Sequence, residues 1–99
     1  MMTADALLLD VGDDTGALVI YAHPELDGWD VEILPVHASG HHHPVHNVVR
    51  ERRVGSRHVH AAVFPDLPAG RYVPYDSDIA KRYGSFDVSG GTITEIDWR

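Results

Sequence analysis

The sequence predicts an all-β fold, a single-domain antiparallel sandwich of about seven or eight short strands. Apolar residues alternate with polar ones over short stretches, turn-forming residues separate these stretches, and no helical periodicity continues long enough for a substantial helix. The chain has 99 residues, the length of one domain, and 43% of them are hydrophobic. We therefore expect one domain over residues 1–99, built around one core.

The first two predicted strands cover residues 5–11 and 16–22. They flank the sequence "GDDTG", whose glycine and aspartate residues favour turns. We expect these two strands to form a hairpin.

The next predicted strand is "GWDVEIL", in which Trp29, Val31 and Ile33 alternate with acidic residues. This alternation predicts one face on the core, and Pro35 then ends the strand or places it at an edge. We expect Trp29 to pack in the core, as we do for Trp98 near the end of the chain.

Residues 45–54 and 57–64 are predicted to form a second hairpin. Glycine is favoured at the first central position of a type II′ turn, so Gly55 and Ser56 suit a two-residue loop. The resulting register pairs Val54 with Arg57, Arg52 with Val59, Glu51 with His60 and Val49 with Ala62. A three-residue loop would instead place Arg52 opposite His60.

Three further elements follow the second hairpin. Residues 70–75 read as a strand, and "DSDIAKRYG" as a turn or a single helical turn. For the last two strands, a loop over residues 90–92 is favoured over a two-residue Gly90-Gly91 turn, because it collects the large apolar groups on one side. That hairpin would pair Val88 with Thr94 and Phe86 with Ile96.

Two stretches, "AAVFPDLPAGRY" and "FDVSGGTITEID", resemble transthyretin-like β-sandwich modules. This prealbumin-like group includes Cna-B domains and carboxypeptidase regulatory-like domains, and the resemblance covers about residues 58–98. It implies a sandwich fold. Independently of the resemblance, Pro68 and Gly70 suit a tight turn at "LPAG" with Leu67 packing inward, and we expect Phe64 and Tyr72 to reach one core from adjacent strands. The enzymatic branch, the hydroxyisourate hydrolases, ends in a "YRGS"-like tail that this chain lacks, so the resemblance implies no catalysis.

The composition bears on partners and location. A formal net charge of −7 repels nucleic acid and anionic lipid, which argues against both as partners despite a basic island, "RERR". The sequence contains no stretch of about 20 apolar residues that would span a membrane, and its N-terminus does not resemble a secretory signal. With no cysteine, the redox compartment is not indicated, and a cytoplasmic location is expected.

Histidine is the most unusual feature of the composition, with eight residues in the chain. His58 and His60 lie two apart on a predicted strand, so their side chains point the same way about 7 Å apart. Imidazole is a good ligand for zinc, nickel or copper. The two-residue register would add Glu51 as a third ligand, and the "HHHPVH" segment would add a fourth. The candidate metal ligands are therefore His58, His60, Glu51, His41, His42, His43 and His46.

Competing interpretations of these residues stay open. Surface histidines, or a His–Glu hydrogen bond, explain the strand pair without a metal, and a serine hydrolase triad is disfavoured because no "GxSxG" elbow exists. No catalytic or cofactor-binding residue is predicted. The sequence favours a non-enzymatic binding or interaction module, whose partner is an unknown protein or a second copy paired through an exposed strand edge. A histidine-based metal-binding protein, holding zinc, nickel or copper, is the alternative.

Overall fold

Residues 14–36 and 44–99 are described by a computed structural model, which confirms the predicted all-β sandwich. Two four-stranded sheets contain its eight strands. The strands are β1 (Thr15–Ala22), β2 (Asp30–Pro35), β3 (Val45–Val48), β4 (Arg50–Val54), β5 (Arg57–Pro68), β6 (Gly70–Pro74), β7 (Phe86–Val88) and β8 (Ile93–Asp97). A 3₁₀ turn, η1 (Pro24–Leu26), and a helix, α1 (Ser77–Tyr83), complete the elements.

The first sheet has the strand order β4-β5-β1-β8, and the second has the order β3-β2-β6-β7. β1 is parallel to β8, and all other neighbouring pairs are antiparallel. The core is formed by buried apolar side chains from both sheets: Leu18, Ile20, Ala22, Val31, Ile33, Val49, Ala62, Phe64, Leu67, Tyr72, Val88 and Trp98. In the described part of the chain no charged residue is buried.

The predicted register of the second hairpin is confirmed from Arg50 to Val54, but the predicted pair of Val49 with Ala62 is not part of the ladder, because β4 begins at Arg50. Glu51 pairs with His60, and Val54 pairs with Arg57 across a turn in which Gly55 has a φ of 63°. The first arm is nevertheless two strands in different sheets, because β3 pairs with β2 and β4 pairs with β5. The chain passes from one sheet to the other at the buried Val49, next to the Asn47 side chain, which donates a hydrogen bond of 2.7 Å to the carbonyl of Val63.

The predicted first hairpin does not describe the pairing of β1. β5 and β8 occupy its two edges, while the proposed partner, residues 5–11, lies outside the described residues. The sequence of β1, "TGALVIYA", is apolar at successive positions, and residues 16–20 are all buried. A continuous apolar run of this kind is typical of a strand whose two faces are both covered.

The predicted final hairpin is wrong, because β7 and β8 belong to different sheets. β7 pairs with β6, where Arg71 faces Asp87 and its Nε donates a hydrogen bond of 2.9 Å to the Asp87 carboxylate. β8 instead lies beside β1. The predicted pairs of Val88 with Thr94 and Phe86 with Ile96 therefore do not form, and Val88 and Trp98 reach one core from opposite sheets.

The predicted burial around "LPAG" is confirmed, but the predicted tight turn is not: β5 ends at Pro68, β6 begins at Gly70, and the chain bends at Ala69 from one sheet to the other. Leu67 is buried, and Phe64 and Tyr72 share the core. The Tyr72 hydroxyl donates a hydrogen bond of 2.7 Å to the carbonyl of Pro68, which ties the start of β6 to the end of β5.

Helix α1 is longer than the predicted single turn. The Asp76 carboxylate caps its N-terminus, accepting hydrogen bonds from the backbone N–H groups of Asp78 and Ile79 at 2.9 and 3.1 Å. Gly84, with a φ of 75°, ends it. None of the helices in residues 14–36 and 44–99 has both the length and the apolarity needed to cross a membrane.

Candidate functional site

A cleft of about 420 Å³ opens at one end of the sandwich. Its walls come from the ends of β1 and β6, the start of β2, η1, α1 and the residue that follows β8. The lining residues are Ala22, His23, Glu25, Leu26, Trp29, Asp30, Val31, Glu32, Val49, Pro74, Asp76, Ile79, Arg82, Tyr83 and Trp98. Segments far apart in the sequence thus converge on one space.

Buried apolar side chains from three strand ends and from the C-terminal segment form the base of the cleft. Ala22, Val31, Val49 and Trp98 all belong to the core of the sandwich. The backbone N–H of Trp98 donates a hydrogen bond of 2.8 Å to the carbonyl of Tyr21, which continues the pairing of β8 with β1. This bond holds the backbone of Trp98 in place beside the cleft.

Helix α1 supplies one wall. Ile79 and Tyr83 are four residues apart, so they lie on the same side of the helix. The Tyr83 ring stacks on Trp98 with a centroid distance of 4.7 Å and an angle of 15°, and the Tyr83 hydroxyl donates a hydrogen bond of 3.2 Å to the Trp98 carbonyl. The stack therefore anchors the helix to the C-terminal segment.

Trp29 forms the opposite side of the mouth, and its predicted place in the core is wrong. Its side chain is 51% exposed. The backbone N–H of Trp29 donates a hydrogen bond to the carbonyl of Leu26, so Trp29 belongs to the turn before β2. Because β2 begins at Asp30, the alternation that buries Val31 does not extend back to Trp29. Its carbonyl accepts a hydrogen bond of 2.8 Å from the N–H of Val49, which fixes the backbone beside the cleft.

The polar side chains of the cleft are mainly acidic. Glu25, Asp30, Glu32 and Asp76 line it together with Arg82 and His23, and all six are exposed. Asp30 lies 3.0 Å from His46, and Asp76 caps α1. The carboxylates of Glu25 and Glu32 make no hydrogen bond or ion pair with the part of the chain described here.

One buried polar atom in the cleft wall stands out. The Nε1–H of Trp98 has no hydrogen-bond partner in residues 14–36 and 44–99. A buried donor without a partner costs about 1–3 kcal/mol, and native proteins retain few of them. The residue with this unfavourable free energy, Trp98, lines the cleft.

The predicted metal ligands lie in several places. His58 and His60 are on β5, and Glu51, on the neighbouring strand β4, pairs with His60. The Glu51 carboxylate lies 3.3 Å from Nδ1 of His58, and His60 Nε2 lies 3.7 Å from the Asp27 carboxylate.

Of the other predicted ligands, only His46 lies in the part of the chain that the structure describes. His46 is in the second sheet, and His41, His42 and His43 lie outside the described residues. Among the residues that the structure describes, no three histidine or acidic side chains converge as a metal centre.

Comparison with protein families, with curated proteins and with solved structures found no match to this chain. The strands themselves define its class, a two-sheet all-β sandwich with a cleft at one end.

Sequence reasoning missed the cleft. Trp29 and Trp98 were predicted to be core residues, and α1 was predicted only as a short turn. A usable signal was present in "DIAKRYG", where Ile79 and Tyr83 have the four-residue spacing of one helix face. Nothing local in the sequence places that face next to Trp98.

Proposed function

We propose that this chain is a non-enzymatic small-molecule-binding module and that the cleft is its ligand site. One observation carries the proposal: a cleft of about 420 Å³ with Trp29, Tyr83 and Trp98 in its walls. Ligand sites typically occupy roughly 300–1,000 Å³ and combine apolar and aromatic walls with a few polar groups. The cleft has both the size and the lining of such a site.

The exposure of Trp29 supports this assignment. Trp29 is 51% exposed, so much of a large apolar side chain is left uncovered beside the apolar lining of the cleft, where a ligand would cover it.

The proposal is tested by titrating ¹⁵N-labelled protein with phenethyl alcohol, a small neutral aromatic probe. We expect saturable amide shifts around η1 and α1, and binding about three- to tenfold weaker in Trp29→Ala, because an aromatic contact contributes about 0.5–1.5 kcal/mol. Tyr75→Ala is the matched control, since Tyr75 is 57% exposed and does not line the cleft. Shifts that do not saturate, or equal loss in both variants, would contradict the proposal.

A second candidate function is metal binding. The pairing of Glu51 with His60 and the 3.3 Å distance from Glu51 to His58 support it, because they bring a carboxylate to the two strand histidines. In this proposal the pair and Glu51, together with a ligand from His41, His42 or His43, hold zinc, nickel or copper.

Metal analysis of untagged protein, purified without a metal column, separates this candidate from the first. Near-stoichiometric metal that is lost in His58→Ala would support it. Metal-free protein whose melting temperature does not change on adding zinc, nickel or copper would rule it out.

The relationship to transthyretin-like modules is also a proposal. The two-sheet sandwich supports it, because a sandwich is the fold that the resemblance implies. A fold likeness alone would assign no ligand.

A further inference from the structure

We infer that the cleft selects an organic cation, a small aromatic or aliphatic body that carries a protonated amine. This inference rests on the proposed function, because it names the chemistry of the ligand that the cleft would hold. Two features of the cleft support it. One is the negative charge of its rim, by which we mean the exposed charged side chains of Glu25, Asp30, Glu32, Asp76 and Arg82, and the other is the aromatic character of its walls.

The rim carries an excess of negative charge. Four carboxylates line the cleft against one guanidinium, and Asp76 and Asp30 already have partners in the helix cap and in His46. Glu25 and Glu32 remain, and they have no cationic partner in the described ranges. A ligand ammonium would supply that partner beside low-dielectric walls, where charge pairs are stronger than in open water.

The aromatic walls favour the same ligand. The faces of tryptophan and tyrosine attract cations, and recognition of substituted ammonium groups by aromatic side chains is a recurring use of this attraction. Trp29 is 51% exposed in the cleft, so its indole face is accessible to a ligand. The Tyr83 ring is already stacked on Trp98 and contacted by Arg82, so it serves as a wall and not as a binding face. An apolar body on the Trp29 ring and an ammonium near the glutamates would use both features at once.

Arg82 is the feature that would favour an anion instead. Its guanidinium carbon lies 5.5 Å from the centroid of the Tyr83 ring, so the guanidinium already makes a cation–π contact within the protein. Its single charge is outnumbered by the rim carboxylates. An anionic ligand would gain Arg82 but would face Glu25 and Glu32.

The test compares three probes of similar size at neutral pH: phenethylamine, phenethyl alcohol and phenylacetate. They present a cation, a neutral hydroxyl and an anion on the same ring. We expect phenethylamine to bind about 5- to 30-fold more tightly than the alcohol, which corresponds to about 1–2 kcal/mol, and phenylacetate to bind most weakly. About 1 M salt should reduce this preference, because the Debye length falls to about 3 Å.

Charge variants locate the effect. Glu32→Gln should weaken phenethylamine binding about two- to fivefold and leave the alcohol unchanged. Glu51→Gln removes the same charge on β4, outside the cleft, and should change neither affinity. Arg82→Gln should strengthen phenethylamine binding, the opposite sign to Glu32→Gln.

The outcomes separate this inference from the proposed function. If the alcohol binds in the cleft as tightly as the amine, the cation preference is overturned and the ligand site stands. If phenylacetate binds most tightly and loses affinity in Arg82→Gln, the site is one for anions and the inference is likewise overturned. If none of the three probes binds, both proposals fail.

Discussion

Tyr72 joins a buried ring to a hydroxyl that donates to a backbone carbonyl. The side chain lies in the core, and its hydroxyl is 2.7 Å from the carbonyl of Pro68. Burial raises the pKa of this phenol above its ordinary value, because the charged form would lose its hydration.

Tyr72→Phe should therefore lower the free energy of unfolding by about 0.5–1.5 kcal/mol, since it keeps the ring and removes the hydrogen bond. Urea unfolding at neutral pH measures the change. Tyr75→Phe, at an exposed position, serves as the control and should change stability by less than about 0.5 kcal/mol. Equal effects of the two substitutions would contradict the role given to the Tyr72 hydroxyl.

The raised pKa also gives Tyr72 a defined pH dependence. A group whose pKa is higher in the folded state stabilises the fold fully below its unfolded pKa, about 10 for tyrosine, and loses that contribution as pH rises through the folded pKa. Unfolding measured above pH 10 should therefore show a steeper alkaline loss in the wild type than in Tyr72→Phe. Parallel curves would show that Tyr72 does not carry this dependence.

At the same scale, Trp29 and Trp98 mark what a local pattern can predict. Both follow the alternation of apolar and polar residues, yet Trp98 is buried and Trp29 is 51% exposed. The difference arises from the turn before β2, which takes Trp29 out of the strand. Tertiary contacts, such as the hydrogen bond from the Val49 N–H to the Trp29 carbonyl, decide whether the turn includes this residue.

Among the secondary structure elements, the loop between β7 and β8 is held against the start of β1. The N–H of Gly91 donates to the carbonyl of Thr15, and the N–H of Ala17 donates to the carbonyl of Thr92, at 2.8 and 3.0 Å. Gly16 lies between these bonds, where an added Cβ would come 2.3 Å from the carbonyl oxygen of Ser89. This close approach requires glycine.

Gly16→Ala should cost about 3 kcal/mol or more, because the clash is with backbone and the crossing loop must move. Gly55→Ala is the comparison, since its Cβ would meet nothing within 4 Å and only its φ of +63° is unfavourable, at about 1–2 kcal/mol. Thermal unfolding of both variants measures the difference. A Gly16→Ala protein as stable as Gly55→Ala would contradict the close packing of the loop on β1.

The strands also show where sequence reasoning succeeded. The β4–β5 register followed from Gly55, because a two-residue loop fixes the pairing of the strands it joins. The same logic failed for β7 and β8, because each pairs with a strand remote from that loop in sequence. Local turn chemistry determines a hairpin only where the two strands share a sheet.

At the scale of the whole molecule, four strands lie at sheet edges among residues 14–36 and 44–99, β4 and β8 in one sheet and β3 and β7 in the other. β4 carries three arginines and a glutamate, and charged edges discourage strand pairing between molecules. The predicted strand-edge dimer would therefore use another edge. Light scattering tests it: a mass twice that of the chain supports self-association, and the mass of one chain contradicts it.

The cleft is a property of the whole fold, because its aromatic walls come from three separate segments around Trp29, Tyr83 and Trp98. Composition and alternation predicted the sandwich, since burying the apolar faces of short strands leaves few other arrangements. They did not predict the cleft, which depends on how η1, α1 and the C-terminal segment close one end. The histidine pair, by contrast, was visible because its members are neighbours on one strand.

The most direct measurement is a map of intermolecular nuclear Overhauser effects between unlabelled phenethylamine and ¹³C,¹⁵N-labelled protein. If the cleft is the ligand site, the ring protons of the probe will show contacts to Trp29, Ile79 and Tyr83. Contacts confined to a second, smaller groove lined by Val45 and Leu67, or no contacts at saturating probe, would contradict it.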